Sequence, residues 1–85
     1  MKRLINQRDA EGRRHGVWES YYSDGTLWWR DHYHHDQRHG LWEHYYPDGT
    51  LVWRAQYHHG VQKGLDIQWD YQGRIASKRY HLVIR

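Results

Sequence analysis

At 85 residues and a formal charge of +3, the chain reads as a single domain over residues 1–85, and that charge alone does not mark a nucleic-acid binder. The absence of cysteine excludes disulfides and thiolate metal sites and fits a reducing, cytoplasmic setting. No apolar run approaches the roughly 18–20 residues of a membrane helix, and the basic start MKRLINQRDAEGRR lacks the apolar segment of a signal peptide.

A core has to come from six Trp and eight Tyr, because Phe is absent and aliphatic residues are few. Each aromatic ring buries a large area, and Trp and Tyr accept a half-wet position. A thin structure with few dry sites is expected. Arg outnumbers Lys ten to three, which favours stacked and bidentate contacts.

In chain order, Lys2–Arg8 reads as a short lead-in strand, and DAEGRRHG as a loop. From Gly16 to Tyr33 runs GVWESYYSDGTLWWRDHY, a β-hairpin turning at Asp24-Gly25. It returns 24 residues later, from Gly40 to Tyr57, as GLWEHYYPDGTLVWRAQY. A looser third copy starts at Gly64 and turns at Gly73. Tyr, Trp, Val and Thr favour strands, and the Asp-Gly pairs break any helix. The chain therefore reads as an all-β antiparallel meander of hairpin repeats at about 16–39, 40–63 and 64–85. Connectors of about six residues, His34–His39 and His58–Lys63, are expected between hairpins. The closing segment SKRYHLVIR reads as a strand, with Lys2, Arg3, Lys78, Arg79 and Arg85 guarding the sheet edges.

Turn chemistry sets the faces. Pro47 and Asp48 suit the centre of a type I turn, and Gly49 suits a following bulge with positive φ. This pairs Tyr46 with Thr50, then Tyr45 with Leu51, His44 with Val52, Glu43 with Trp53 and Trp42 with Arg54. A two-residue turn at Asp48-Gly49 would instead place Glu43 opposite Arg54. The alternation Leu65, Ile67, Trp69 favours the first register and puts Glu43, Tyr45, Trp53, Ala55 and Tyr57 toward the core. Glu19 and Glu43 then need partners, since an unpaired buried carboxylate is costly. The opposite face carries Trp18, Tyr22, Trp28, Arg30, Trp42, His44, Tyr46 and Arg54. Trp, Tyr and Arg dominate binding hot spots, so these eight are the candidate partner-binding residues.

The pattern G-x-W-x-x-Y-Y-x-D-G-T-L resembles the MORN repeat, in the variant found in small bacterial proteins, including those labelled YwqK-type antitoxins. Gly16, Trp18, Tyr21, Tyr22, Asp24, Gly25, Leu27 and Tyr33 carry it, and Gly40, Trp42, Tyr45, Tyr46, Asp48, Gly49, Leu51 and Tyr57 repeat it. The resemblance implies stacked hairpins in an elongated, twisted sheet, a role in holding proteins together, and no shared catalytic residue.

Nine His include His32-x-His34-His35 and His58-His59 one repeat on. Their spacing could place imidazoles close together, which is what ligation of zinc, nickel or copper needs; the expected explanation is instead a polar loop copied with the repeat, with no metal and no cofactor. The three Ser lie in no nucleophile-elbow pattern, and no phosphate loop precedes a helix, so no enzyme is expected. The function expected is a non-catalytic protein-binding module. It would act as a bacterial or phage-type antitoxin, immunity protein or inhibitor by occupying a target surface. The alternatives are single-stranded nucleic-acid binding, with rings stacking bases, and a homodimer or larger homo-oligomer.

Overall fold

The computed structural model describes residues 4–82, which form strands and turns without a helix. The strands are β1 (Gln7–Arg8), β2 (Arg14–Tyr21), β3 (Leu27–His34), β4 (Gln37–Arg38), β5 (Gly40–Tyr45), β6 (Leu51–His58), β7 (Val61–Trp69) and β8 (Ile75–His81). All pairings are antiparallel, and they build one open sheet in the order β1-β2-β3-β5-β6-β7-β8, with β4 also against β3. The expected all-β meander is the fold. It is a plate of 43 × 42 × 18 Å with a radius of gyration of 14.3 Å. A compact chain of this length would have about 12 Å, so the sheet stays open.

The hairpin turns follow the Pro-Asp-Gly chemistry. The Gly49 N–H donates to Tyr46 O at 2.9 Å, and the Tyr46 N–H donates to Thr50 O at 2.8 Å. Gly49 sits at φ +91°, a conformation open to glycine and strained for other residues. The Asp48 carboxylate accepts from both the backbone N–H and the hydroxyl of Thr50. The same two backbone bonds close Tyr22–Thr26 and Asp70–Arg74, so the diverged third hairpin keeps the geometry.

Beyond the turn the register departs from expectation. Tyr45 pairs with Leu51, but His44 pairs with Trp53, so Val52 is an extra residue in a β-bulge. Trp28 and Ala76 are extra at the same place in the other hairpins. Glu43 therefore faces Arg54, and Trp42 faces Ala55, which corrects the expected Glu43–Trp53 and Trp42–Arg54 pairs. The turn asks for one register and the Glu–Arg pair for the other; the bulge satisfies both. A one-residue slip exchanges the faces of the return strand. Trp18, Trp42 and His44 consequently share a face with Trp29, Trp53, Tyr33 and Tyr57, while Arg30 and Arg54 move to the opposite side with Glu19 and Glu43.

The connectors are tighter than expected. His35-Asp36 (φ +50° and +66°) and His59-Gly60 (φ +46° and +85°) make two-residue turns that close His34 on Gln37 and His58 on Val61. Asp and His tolerate the left-handed region better than most residues, which makes such turns affordable in conformational terms. The segment read as the loop DAEGRRHG is itself a hairpin turn, with Asp9 N–H on Arg13 O and Gly12 N–H on Asp9 O. The lead-in strand covers Gln7–Arg8; Lys2 and Arg3, like Arg85, lie outside the described residues.

The core sits on the Trp face at the second hairpin. Trp42, Ala55 and Tyr57 are buried, with Tyr33 and Trp53 packed against them. Arg38 lies over the Trp42 ring at 4.3 Å and donates to the Tyr57 hydroxyl at 3.0 Å. Arg14 repeats this over Tyr33 at 4.2 Å and 3.0 Å. Guanidinium planes thus cover rings that a second protein layer would cover elsewhere. Leu65, expected in the core, is 46 % exposed, and Ile75 is 55 % exposed. They lie on the face opposite the Trp42 cluster, which no second layer of the described residues covers.

Candidate functional site

The eight candidate residues divide into three groups. Trp18 and Trp42 belong to the packed face: Trp42 is buried and its indole donates to His32 O at 3.0 Å, while the Trp18 indole donates to Gln7 O at 3.1 Å. His44 packs edge-on against Trp53 at 5.1 Å and sits 3.5 Å from the buried Asp31 carboxylate. Neither facing atom of this pair, Asp31 Oδ1 or His44 Nε2, makes a well-formed hydrogen bond.

Arg30 and Arg54 lie on the opposite face, in a row of alternating sign. Neighbours across the strands run Glu19, Arg30, Glu43, Arg54 and then Ile67. The Glu19 carboxylate has no exposed surface; it accepts from Arg30 Nε at 2.5 Å and from the Tyr21 hydroxyl at 2.5 Å. The sequence demanded a partner for this carboxylate, and Arg30 supplies it. Burial, and then the charge of Glu43, raise the Tyr45 phenol above its usual pKa. Beyond the row, Arg54, Gln56, Leu65 and Ile67 line a shallow groove of about 300 Å³.

Tyr22, Trp28 and Tyr46 remain together, at the edge where the hairpins turn. Tyr22 packs against Trp28 with ring centroids 5.6 Å apart, and its hydroxyl crosses to the next hairpin to donate to Tyr45 O at 2.6 Å. Tyr46 repeats the crossing to Trp69 O at 2.9 Å, and Tyr71 stacks on it at 4.0 Å. Burial, and then the neighbouring Tyr71, raise the Tyr22 pKa. The bulge pushes Trp28 outward to 46 % exposure, and Tyr71 is 69 % exposed. These rings form a ledge along three hairpins. Tyr71 escaped the sequence reading because the third copy lacks the Tyr-Tyr element; its position inside the Asp70–Gly73 turn was the available signal. Asp24, Asp48 and Asp70 stand in the turns beside the ledge. Backbone N–H groups of Thr26 and Arg74 at Asp24 and Asp70, and the Thr50 hydroxyl and N–H at Asp48, hold these carboxyls below their usual pKa.

The opposite edge collects imidazoles. His34, His35, His58 and His59 converge there as their spacing suggested, and His15 and His39 join them. His32 does not; its Nδ1 pairs with Leu41 O at 2.8 Å. His15 and His39 are 24 residues apart, a spacing visible in the sequence had the Arg-His-Gly connector been read with the His-His pairs. His35 is held by Asp9 Oδ2 at 3.1 Å. Burial, and then the surrounding imidazoles, lower the pKa of His34.

Among the described residues no helix is long and apolar enough to cross a membrane. The sequence pattern of the MORN repeat variant matches residues 14–35 and 38–59, just over half of the chain. The third hairpin lies beyond the match, although its register and bulge are those of the first two. No curated protein and no solved structure matches the chain.

Proposed function

Since the chain belongs to the MORN repeat variant family, a family of generally non-catalytic, protein-interaction repeats, we propose that it binds one target protein through the turn-edge ledge. The carrying observation is the exposure of Trp28 and Tyr71, each packed on a half-buried tyrosine, Tyr22 and Tyr46, whose hydroxyl crosses to the next hairpin. Tyr22 and Tyr46, fixed by hydrogen bonds to the neighbouring hairpin, back the exposed Trp28 and Tyr71, and rings supported in this way lose little entropy on docking. The flanking carboxylates of Asp24, Asp48 and Asp70 suit a target with a basic rim, and they repel a phosphate backbone. That favours a protein over single-stranded nucleic acid, because Arg14 and Arg38 are engaged on Tyr33, Trp42 and Tyr57. The finer role is an antitoxin, immunity protein or inhibitor that acts by covering its target's surface.

A photo-crosslinking amino acid at position 71 should capture one discrete protein in the source cell, and the same group at position 80 should not. Trp28→Ala should abolish the capture. Equal capture from both positions, or capture that survives Trp28→Ala, rules out the ledge. A product that is nuclease-sensitive supports the nucleic-acid reading instead.

A further inference from the structure

Six imidazoles on the connector edge form two equivalent sets, one repeat apart. His15, His34 and His35 are the first; His39, His58 and His59 are the second, each 24 residues on. The sets touch, since the His34 ring lies 5.7 Å from both His39 and His59. They differ in convergence. In the second set the ring centroids are 4.5, 4.8 and 5.1 Å apart, and one ring nitrogen from each residue lies within 4.8 Å of the others. In the first set two of the three separations are 5.5 and 5.7 Å, and His35 is drawn to Asp9.

We propose that His39, His58 and His59 bind a divalent transition cation of the zinc, nickel and copper group, linking the start of β5 to the β6–β7 turn. All three donors are imidazoles, which suit these borderline cations and not magnesium or calcium, whose shells are built from oxygens. A tetrahedral zinc with Zn–N of about 2.0–2.1 Å needs its ligands about 3.3 Å apart. The present nitrogens close that gap by side-chain rotation, because His58 and His59 are exposed and His39 is half-exposed. The two-residue turn does the positioning: His59 sits at φ +46°, which brings its ring back beside His58 and over His39. A fourth position stays open to water or to His34, the nearest further imidazole.

One bond has to be exchanged. The His59 N–H donates to His39 Nδ1 at 3.1 Å, so the His39 proton sits on Nε2 when no cation is bound. Ligation through either nitrogen releases this bond, so the His59 amide reports on occupancy. The site lies at the edge away from the aromatic ledge, so its presence is independent of the protein-binding proposal.

The test is titration of the full chain with Zn2+ by calorimetry, and with Co2+ by visible absorption. The expected result is one tight Zn2+ per chain, a tetrahedral Co2+ spectrum and a shifted His59 amide resonance. His39→Gln and His58→Gln should each weaken Zn2+ by about tenfold or more, the loss typical even for supporting groups of such sites. His15→Gln, in the equivalent but splayed set, should change affinity by no more than about twofold. These positions are at or near the surface, and an unchanged near-ultraviolet Trp signal verifies folding. The proposal is overturned if wild type binds Zn2+ no more tightly than His39→Gln, or if His15→Gln weakens binding as much as His39→Gln.

Discussion

Arg30 and Arg54 occupy the same place in successive repeats, yet the structure gives them unequal work, so their removal should have unequal effects. Arg30 contacts a carboxylate with no exposed surface, and its own side chain is 34 % exposed. Removing one partner of a buried pair typically costs about 3–5 kcal/mol, and the partly wet guanidinium places Arg30→Ala near the lower end, about 3 kcal/mol. Arg54 is exposed and adjoins half-exposed Glu43 and Ile67. Arg54→Ala should therefore lose about 1 kcal/mol or less, the range of surface pairs. A chain of this size has about 4–13 kcal/mol of total stability, so the first loss is a large share of it. Urea unfolding followed by Trp fluorescence measures both, with an unchanged slope showing that midpoint shifts reflect stability. Glu19→Gln, alone and combined with Arg30→Ala, completes a double-mutant cycle, and the double variant should recover part of the loss. Equal losses in the two Arg variants, or an Arg30→Ala loss below about 0.5 kcal/mol, would refute the reasoning, since surface changes lie within that range.

Further outcomes follow from the same geometry. Trp42→Ala should destabilise by about 3–5 kcal/mol, measured by the same unfolding, whereas Trp28→Ala, at an outward bulge, should stay within about 1 kcal/mol; reversed magnitudes would mean that the faces are misassigned. Gly49→Ala, at φ +91°, should cost about 1 kcal/mol or more, and a stabilised variant would contradict the turn. Acid should weaken the fold. Asp24, Asp48 and Asp70 titrate lower when folded, and at Asp66 burial opposes the shift but bonds from Trp53, His81 and Gln62 overcome it. Their contribution is complete above the unfolded carboxyl pKa, near 3.8, and disappears as pH falls through the folded values. Urea midpoints that hold steady or rise between pH 5 and pH 2 would contradict this (an interval of about 3 units around the unfolded value). Zn2+ should raise the thermal midpoint of wild type and leave that of His39→Gln unchanged.

The hairpins, their period and their turns were legible in the sequence because each depends on neighbours in the chain. Asp48-Gly49 and Asp24-Gly25 specify a turn whatever lies beyond it, and Tyr, Trp and Val then extend as strands. The required partner of Glu19 was also foreseeable, because burying a carboxylate demands one. What the residues could not disclose was which of two registers would prevail, and the answer is both: Thr50 and Leu51 follow the turn, while Trp53 and Arg54 follow the ladder beyond Val52. One extra residue sent Arg30 and Arg54 to one side of the sheet and Trp42 and His44 to the other, dividing the binding face drawn from strict alternation. The 24-residue spacing of His15 and His39 lay in the chain, but the tight two-residue connectors that bring them beside the His-His pairs come from strand pairing. Local chemistry writes the strands and turns, whereas the faces and the edges arise from pairing between strands, where a slip of one position changes every neighbour.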